Sequence, residues 1–219
     1  MTNDQNKKRI GLIIADPNEI HDLTEFKYIK TFEQKNFKVD FYEFKNKYIY
    51  VINSLIGVVN ASMVCQYLID NYSIHEIWNY GAVGATNNLK INDVIIPHKF
   101  FYFDVKTPWY KLGQVPNEKE FYVTSFDQYD NINIASGHSF IDDIEMIKEL
   151  HNKLNVDLFD MESCAIAQVC FKNDIPFYCI KAVSDIIGDN KINKEDINLR
   201  ISQASKKSLD KLIKLLSIK

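Results

Sequence analysis

The segment DLFDMESCAIAQVCFKNDIPFYCIKAV, residues 157–183, decides the fold class of this chain. Its apolar residues predict a short strand at 157–159, a helix over about 162–172 and a strong strand at 176–183. A strand, a helix and a second strand in direct succession are typical of α/β domains, in which helices cover the faces of a sheet.

The same alternation continues on both sides of this segment. We predict strands at 9–15, 38–44, 48–53, 74–80, 93–104 and 131–135, with a hairpin between the second and third of them. We also predict a small-residue loop at 81–84, helices over about 60–71 and from near Asp142, and an amphipathic helix that closes the chain. The pattern favours a single three-layer α/β/α domain over residues 1–219, with a central mixed twisted sheet and a flexible N-terminus at 1–8.

Composition excludes several classes of protein. The chain has 219 residues of which 46% are hydrophobic, enough to build a core and too many for a disordered protein. Its net charge of −3 argues against nucleic-acid binding, because such proteins usually carry a basic patch. No apolar run approaches the roughly 20 residues that span a membrane, and the run at 10–15 is too short for a signal peptide. We therefore expect a cytoplasmic protein that binds neither nucleic acid nor membrane.

The cysteine pattern also favours a cytoplasmic protein. They lie in apolar segments without CxxC spacing, which predicts buried free thiols rather than a zinc site or disulfide bonds, at Cys65, Cys164, Cys170 and Cys179. We expect neither a metal nor a cofactor.

Polar residues collect where the predicted strands end. The sites of α/β folds lie at the carboxyl ends of strands. Carboxylates follow three of these ends, at Asp16 and Glu19, at Asp160 and Glu162, and at Asp185. Acids that converge without clustered histidines indicate acid–base chemistry or recognition of sugar hydroxyls.

Each of these acids also has a purely structural explanation. Asp16 could form only an Asx turn, Glu19 could be a solvated first-turn residue, and Asp185 could cap the turn that follows it. Asp160 and Glu162 flank the buried-looking Met161, and buried carboxylates are rarely unpaired. Their spacing does not say what they hold.

Motifs along nearly the whole chain resemble the nucleoside phosphorylase and nucleosidase family. They are FDMESCAIAQ at 159–168, IKAVSD at 180–185, IGLIIA at 10–15, SLIG at 54–57, NYGAVG at 79–84, LKINDV at 89–94, GQVP at 113–116 and SGHSFI at 136–141. The resemblance is strongest to members that act on 5′-methylthioadenosine and S-adenosylhomocysteine. It implies a nucleosidase of methionine salvage that hydrolyses the N-glycosidic bond between ribose and adenine.

The resemblance also implies a role for individual residues. Glu19 matches the carboxylate that activates water, and Asp185, with Ser184, matches the pair that assists adenine in leaving. The substrate-binding positions carried over by the resemblance are Ile56, Phe140 and Ile141 for the nucleoside, and Asp160, Met161 and Glu162 beneath the ribose. Phe140 would stack on adenine, the Ile141 backbone would read the edge of the base, and Glu162 would accept from the ribose hydroxyls. In the family a partner subunit completes the 5′ pocket, here near Pro108, Tyr110 and Pro116, so a homodimer is expected.

Two other functions stay open at this level. Phosphorylases of the family hold phosphate with several arginines, because the guanidinium fork suits phosphate. This chain has only Arg9 and Arg200, and Glu19 would repel an anion, which favours water over phosphate as the nucleophile. A purine nucleoside phosphorylase and a non-catalytic nucleoside-binding protein remain the alternatives.

The chain also departs from the family pattern. Family glycines are replaced by Ile14 and Leu55, and the first glutamate of the Glu-Met-Glu motif is Asp160. The remaining departures are Ala82 for a serine, His138 for an aspartate and Lys181 for an arginine. Ala82 and Lys181 touch the network that would hold the water, and His138 is interpreted as a structural substitution.

Overall fold

The computed structural model of the protein describes residues 7–188 and 194–218. Its strands are β1 (Lys8–Ile14), β2 (Lys27–Glu33), β3 (Lys38–Phe44), β4 (Lys47–Asn53), β5 (Glu76–Ala85), β6 (Val94–Ile95), β7 (Lys99–Tyr102), β8 (Tyr122–Val123), β9 (Asn133–Ser136), β10 (Val156–Asp160) and β11 (Phe177–Ile186). Its helices are α1 (Val58–Tyr72), α2 (Ile144–Leu154), α3 (Ser163–Lys172) and α4 (Lys194–Ile218).

The strands form one mixed sheet. Along its main path the order is β2-β3-β4-β1-β5-β10-β9-β7-β8, and β11 lies parallel to β5 with β6 on its other side. The neighbours β1 and β4, β1 and β5, and β9 and β10 are parallel, whereas β2, β3 and β4 form an antiparallel meander. The carboxyl ends of β1, β5 and β11 therefore point to one edge of the sheet.

Helices cover both faces of the sheet. On one face α1 and α3 bury residues such as Val64 and Ile166 against Ile13 and Ile77. On the other face α4 packs Leu209 and its apolar neighbours against β1, β4, β5 and β11, and α2 covers β7, β9 and β10. The predicted three-layer α/β/α fold with a mixed sheet is confirmed. None of the helices in the described part of the chain is long and apolar enough to cross a membrane.

Two predictions about the ends of strands are wrong. The small-residue segment 81–84 is not a loop, because β5 continues through it to Ala85 and pairs with β11 along its length. Ser184 and Asp185 do not follow a strand but lie within β11, where the pairing register shifts between Val183 and Asp185. This irregularity directs the end of β11 while keeping it in the sheet.

Smaller differences concern element boundaries. The segment 93–104 is two short strands, β6 and β7, rather than one, and α2 begins with Asp143 as its N-cap rather than Asp142. The strand β2 was not predicted. Of the residues predicted to be a flexible N-terminus, 1–6 lie outside the described residues, whereas Lys8 opens β1 and pairs with Lys47. All four cysteines are buried and free, as predicted.

Candidate active site

A cleft opens at the carboxyl ends of β1, β5, β10 and β11. It is lined by Ala15, Asp16, Glu19, Ile56, Ala82, Val83, Gly84, Phe140, Phe159, Asp160, Met161, Glu162, Ser184, Asp185 and Ile201. Ile141 lines an adjoining recess together with Phe140, Met161 and Asp185. The site residues predicted from the sequence thus lie around one cleft, and acids from three separate strand ends meet there.

Glu19 is fixed by the turn that follows β1. Pro17–Glu19 form a single 3-10 turn, whose N-cap Asp16 accepts a hydrogen bond from Asn18 N at 2.8 Å. Glu19 Oε2 accepts from Asp16 N at 3.2 Å, and Oε1 accepts from Ala82 N at 2.6 Å. Asp16 therefore forms the Asx-type turn that the sequence suggested, but Glu19 is 4% exposed and is not the solvated residue of the alternative explanation.

The close approach of Glu19 to β5 depends on Gly81. A Cβ atom at this glycine would lie 2.5 Å from Glu19 Oε1 and 2.9 Å from its carboxyl carbon. Since the carboxylate occupies the space where a side chain would stand, any larger residue at position 81 displaces it. The small residues of β5 thus make room for an acid at the sheet edge.

Burial raises the pKa of Glu19 above its ordinary value. Lys181 opposes this rise most strongly, followed by the backbone N–H groups of Ala82 and Asp16. A carboxylate with a raised pKa that keeps hydrogen bonds to its charged form is suited to accept a proton near neutral pH.

A second pair of acids lies where β10 meets α3. Glu162 is 6% exposed, and its Oε1 accepts from Gly57 N at 2.8 Å. Burial, together with the neighbouring Asp160, raises the pKa of Glu162 to about 8. Burial therefore favours the protonated form of Glu162 in the free protein, and a ligand that donates hydrogen bonds to the carboxylate would favour its charged form.

Asp160 is held in the opposite state. Its carboxylate accepts from Ser136 Oγ at 2.5 Å and from the hydroxyl of Ser163, and Lys181 Nζ lies 3.0 Å from its Oδ2. Lys181 and these hydrogen bonds lower the pKa of Asp160 despite its burial. Lys181 is itself 1% exposed, and Asp160 raises its pKa against the effect of burial. The two residues form a buried, charged ion pair at the floor of the cleft.

A further acid lies at the β11 end of the cleft. Asp185 Oδ1 accepts from Ser184 Oγ at 2.6 Å, and burial raises the pKa of Asp185. The bond from Ser184 and the charge of Arg200 both act against that rise. Phe140, 68% exposed, stands beside this end as a flat apolar surface.

Arg200 is a component of this end that the sequence did not reveal. The sequence suggests it only as a possible phosphate ligand, yet α4 packs along β11 and brings the charge of Arg200 to act on Asp185. Its Nη1 is buried and finds no hydrogen-bond acceptor in the described part of the chain. Its neighbour Ile201 lines the cleft, and that apolar position in the helix was the one signal available from sequence.

The rim beside α1 is shaped by a strained residue. Leu55 adopts a left-handed conformation, φ 62°, at a position where the family resemblance places a glycine. The side chains of Leu55 and Ile56 are 55% and 46% exposed, so the rim presents apolar groups to solvent. A non-glycine residue in this conformation carries a backbone cost, which is common near binding sites.

Two other departures from the family pattern, Ala82 and His138, have simple structural roles. Ala82 contributes its backbone N–H to Glu19, which any residue could do. His138 N donates to Asp104 Oδ2 at 2.7 Å, while its ring stays exposed and outside the cleft lining. Within residues 7–188 and 194–218, no three His, Cys, Asp or Glu side chains are grouped as metal ligands would be.

Comparison with known proteins gives consistent results. A family model described as the phosphorylase superfamily matches residues 9–217. A 5′-methylthioadenosine/S-adenosylhomocysteine nucleosidase of Buchnera aphidicola subsp. Acyrthosiphon pisum (strain Tuc7) is 36% identical over 219 aligned residues, covering 90% of this chain and 94% of that relative.

Two solved structures are similar over almost their full length. A futalosine hydrolase of Helicobacter pylori strain 26695 has a TM-score of 0.91 at 20% identity, covering 99% of this chain and 100% of the other. A 5′-methylthioadenosine/S-adenosylhomocysteine nucleosidase from Neisseria meningitidis, in complex with methylthio-immucillin-A, has a TM-score of 0.86 at 25% identity. The match covers 97% of this chain and 100% of the other.

Proposed function

Because this chain belongs to the phosphorylase superfamily and is one of its nucleosidases, a class of N-glycosidic hydrolase, we propose that it acts on 5′-methylthioadenosine and S-adenosylhomocysteine. The products are adenine and the 5-thio-substituted ribose, which assigns the enzyme to methionine salvage. The observation that carries the proposal is the buried Glu19 carboxylate, held by two backbone N–H groups at the end of β1.

The three acids divide the reaction between them. Glu19 accepts a proton from a water molecule as its oxygen attacks C1′ of the ribose. The bond from C1′ to the adenine nitrogen breaks, and its electron pair goes to the base. Asp185 assists by protonating or hydrogen-bonding N7, for which its raised pKa is suited. Base and acid on opposite sides of the sugar follow the logic of inverting glycosidases.

Glu162 has a binding role in this scheme. Two ribose hydroxyls that donate to its carboxylate would supply hydrogen bonds to a group that burial otherwise keeps neutral. Met161 lies beneath the sugar, Ile56 borders it, and Asp160 fixes the floor of the site through Lys181. Phe140 stacks on the base, and the backbone of Ile141 reads its edge.

The positions of both arginines support hydrolysis over phosphorolysis. Arg9 Nη1 donates to Tyr72 O at 3.3 Å, at the amino end of β1 and thus away from the cleft. Arg200 acts on Asp185 at the end assigned to the base. Neither guanidinium is among the groups that chiefly act on Glu19, where a phosphate nucleophile would need one.

We also propose that the enzyme is a cytoplasmic homodimer whose partner subunit completes the 5′ pocket. Two exposed apolar surfaces support this proposal. The first is formed by α1 and the segment before it, which expose Ile56, Val59 and Met63. The second is Trp109, 85% exposed, on the segment that contains Pro108, Tyr110 and Pro116. Contiguous exposed apolar groups often mark protein interfaces. Four free thiols fit a reducing compartment.

Adenine release from 5′-methylthioadenosine and from S-adenosylhomocysteine tests the proposal, with unmodified adenosine as the comparison. We expect free adenine from both thio-substituted nucleosides. Absence of adenine from both would contradict the assigned substrates, and release from adenosine alone would contradict the assigned 5′ pocket.

A further inference from the structure

Lys181 stands between two of the acids of the cleft. It lies in β11 opposite Gly81 of the parallel strand β5. Residues opposite each other on neighbouring strands present their side chains on the same face of the sheet. Because Gly81 has no side chain, the space beside Lys181 is open, and the Glu19 carboxylate fills it, 2.5 Å from where a Cβ on Gly81 would stand. On its other side, Lys181 Nζ lies 3.0 Å from Asp160 Oδ2.

Two departures from the family pattern are the two halves of this ion pair. Asp160 replaces a glutamate and Lys181 replaces an arginine, and each is almost fully buried with the other as its charged partner. Ser136 and Ser163 hold the Asp160 carboxylate in place by donating to it. The anchored carboxylate in turn fixes where the ammonium group stands.

Lys181 opposes the effect of burial on Glu19 more strongly than any other neighbouring group. The ionisable groups that interact electrostatically with Glu19 come from its own turn, from β5, from β11 and from the start of α3, and they are Asp16, Tyr80, Cys179, Lys181 and Glu162. Lys181 is the one cation in this set. Its positive charge favours the ionised form of Glu19.

We propose that Lys181 is a positioning residue of the hydrolysis: anchored by Asp160, its ammonium group keeps the Glu19 carboxylate ionised and able to accept a proton from water. The inference rests on the proposed function, in which Glu19 is the base. An ion pair with a merely structural role would join β10 to β11 without governing the charge of Glu19.

The test follows the protonation of Glu19 directly. Protein labelled with ¹³C at the glutamate carboxyl carbon is titrated by NMR, the Glu19 signal is assigned by its loss in Glu19→Gln, and kcat for 5′-methylthioadenosine is measured over the same pH range. Lys181→Met alone leaves Asp160 as an unpaired buried charge. The main variant is therefore the double substitution Asp160→Asn with Lys181→Met, which removes both charges.

In the double variant we expect the Glu19 midpoint and the acid limb of kcat to move up together by about one pH unit, the low end for losing a neighbouring opposite charge. At a pH below the limb this is about a tenfold loss of activity. Asp160→Asn alone is the matched control: the amide oxygen can still accept from Lys181, which keeps its charge, so the Glu19 midpoint should not rise. Lys181→Arg restores the original midpoint.

Lys181→Gln is a second test variant, because it removes the positive charge but can still donate a hydrogen bond to Asp160. It must also move the Glu19 midpoint up. An unmoved Glu19 midpoint in the neutral variants, or an equal upward shift in Asp160→Asn, would overturn the inference. A protein that hydrolyses no thio-substituted nucleoside would overturn the proposed function instead, and the titration would still decide whether Lys181 governs the charge of Glu19.

Discussion

The two ends of strand β11 open onto two cavities of different character. At its amino end, a groove between β8 and α3 has a volume of about 580 Å³ and is lined largely by apolar side chains such as Phe121, Val123 and Phe171. At its carboxyl end, the cleft has a volume of only about 120 Å³.

The acids of the two cavities also differ. In the described part of the chain, the groove's acids are Glu120 and Asp174, which are half-buried and exposed. The cleft contains Glu19, Glu162 and Asp185, all buried and all with a raised pKa. Strand direction, and not cavity size, predicts where the proposed reaction takes place, because the carboxyl ends of parallel strands bring loop residues to one place.

The largest expected effect is the loss of the base. Glu19→Gln keeps the size of the side chain and one of its two acceptor oxygens but cannot take a proton, so turnover of 5′-methylthioadenosine should fall by at least about 10²-fold. Nucleoside affinity, measured by calorimetry, should survive. Glu25→Gln, the same substitution at an exposed glutamate, serves as the control. Unchanged turnover in Glu19→Gln would remove this residue from the mechanism.

Displacing the same carboxylate should cost somewhat less. Gly81→Ala places a methyl group where Glu19 Oε1 lies, and a shift of about 1 Å at a catalytic group can cost up to about 10²-fold in rate. Gly11→Ala is a matched control, since its Cβ would lie equally close, at 2.5 Å, to the end of the Ile77 side chain and 3.1 Å from the end of the Leu68 side chain. We expect kcat per folded molecule to fall in the first variant and to be retained in the second. Equal losses of kcat in the two variants would show that crowding of the sheet, and not displacement of Glu19, causes the effect.

Glu162 should affect binding more than chemistry. Its pKa of about 8 means that ribose hydroxyls, which favour the carboxylate, bind with release of a proton at neutral pH. Affinity should therefore rise as the pH rises toward 8 and level off above it. Glu162→Gln should remove this dependence and weaken binding about tenfold, the lower end for hydrogen bonds to a charged group.

Calorimetry in two buffers of different ionisation enthalpy measures the released proton. The Glu19→Gln background keeps the nucleoside intact during the titration. A proton release that persists after Glu162→Gln would assign it to another group.

Arg200 offers a smaller and more specific effect. Its charge opposes the burial that raises the pKa of Asp185, so Arg200→Gln should let that pKa rise further. Because the protonated acid would then persist to higher pH, the basic limb of kcat should move up, by less than about one unit for a partly solvated charge. Lys207→Gln, farther along α4, is the control, and a downward shift in Arg200→Gln would contradict this account.

A substitution in the groove should have no effect on catalysis. Val123→Thr is close in volume and the side chain is 53% exposed, so we expect stability within about 0.5 kcal/mol of the parent and unchanged kcat and KM. Thermal unfolding and steady-state rates check both. A tenfold loss of turnover would show that the larger cavity also takes part in the reaction.

The sequence predicted the layers of the fold because most elements bury one face. Strand β2 was missed since Lys27–Glu33 is mainly exposed on both sides at the sheet edge and thus lacks the alternation that marks a half-buried strand. The segment 81–84 was assigned to a loop because small residues usually mark turns. In the structure, Gly81 instead admits the Glu19 carboxylate while staying in β5.

The composition of the cleft was more predictable than its electrostatics. The rule that sites lie at strand ends selected Glu19, Glu162 and Asp185, and the structure places all three around one cleft. The pairing of Lys181 with Asp160 and the effect of Arg200 on Asp185 depend on contacts between distant segments of the chain, for which no local pattern exists. Such contacts decide the charge of each acid and can be read only from the fold.

The most direct test of the central claim, that water and not phosphate attacks the nucleoside, is to identify the sugar released from 5′-methylthioadenosine with and without phosphate. We predict free 5-methylthioribose and adenine at the same rate in both conditions. Release that requires phosphate and yields the sugar 1-phosphate would contradict the account and make the enzyme a phosphorylase.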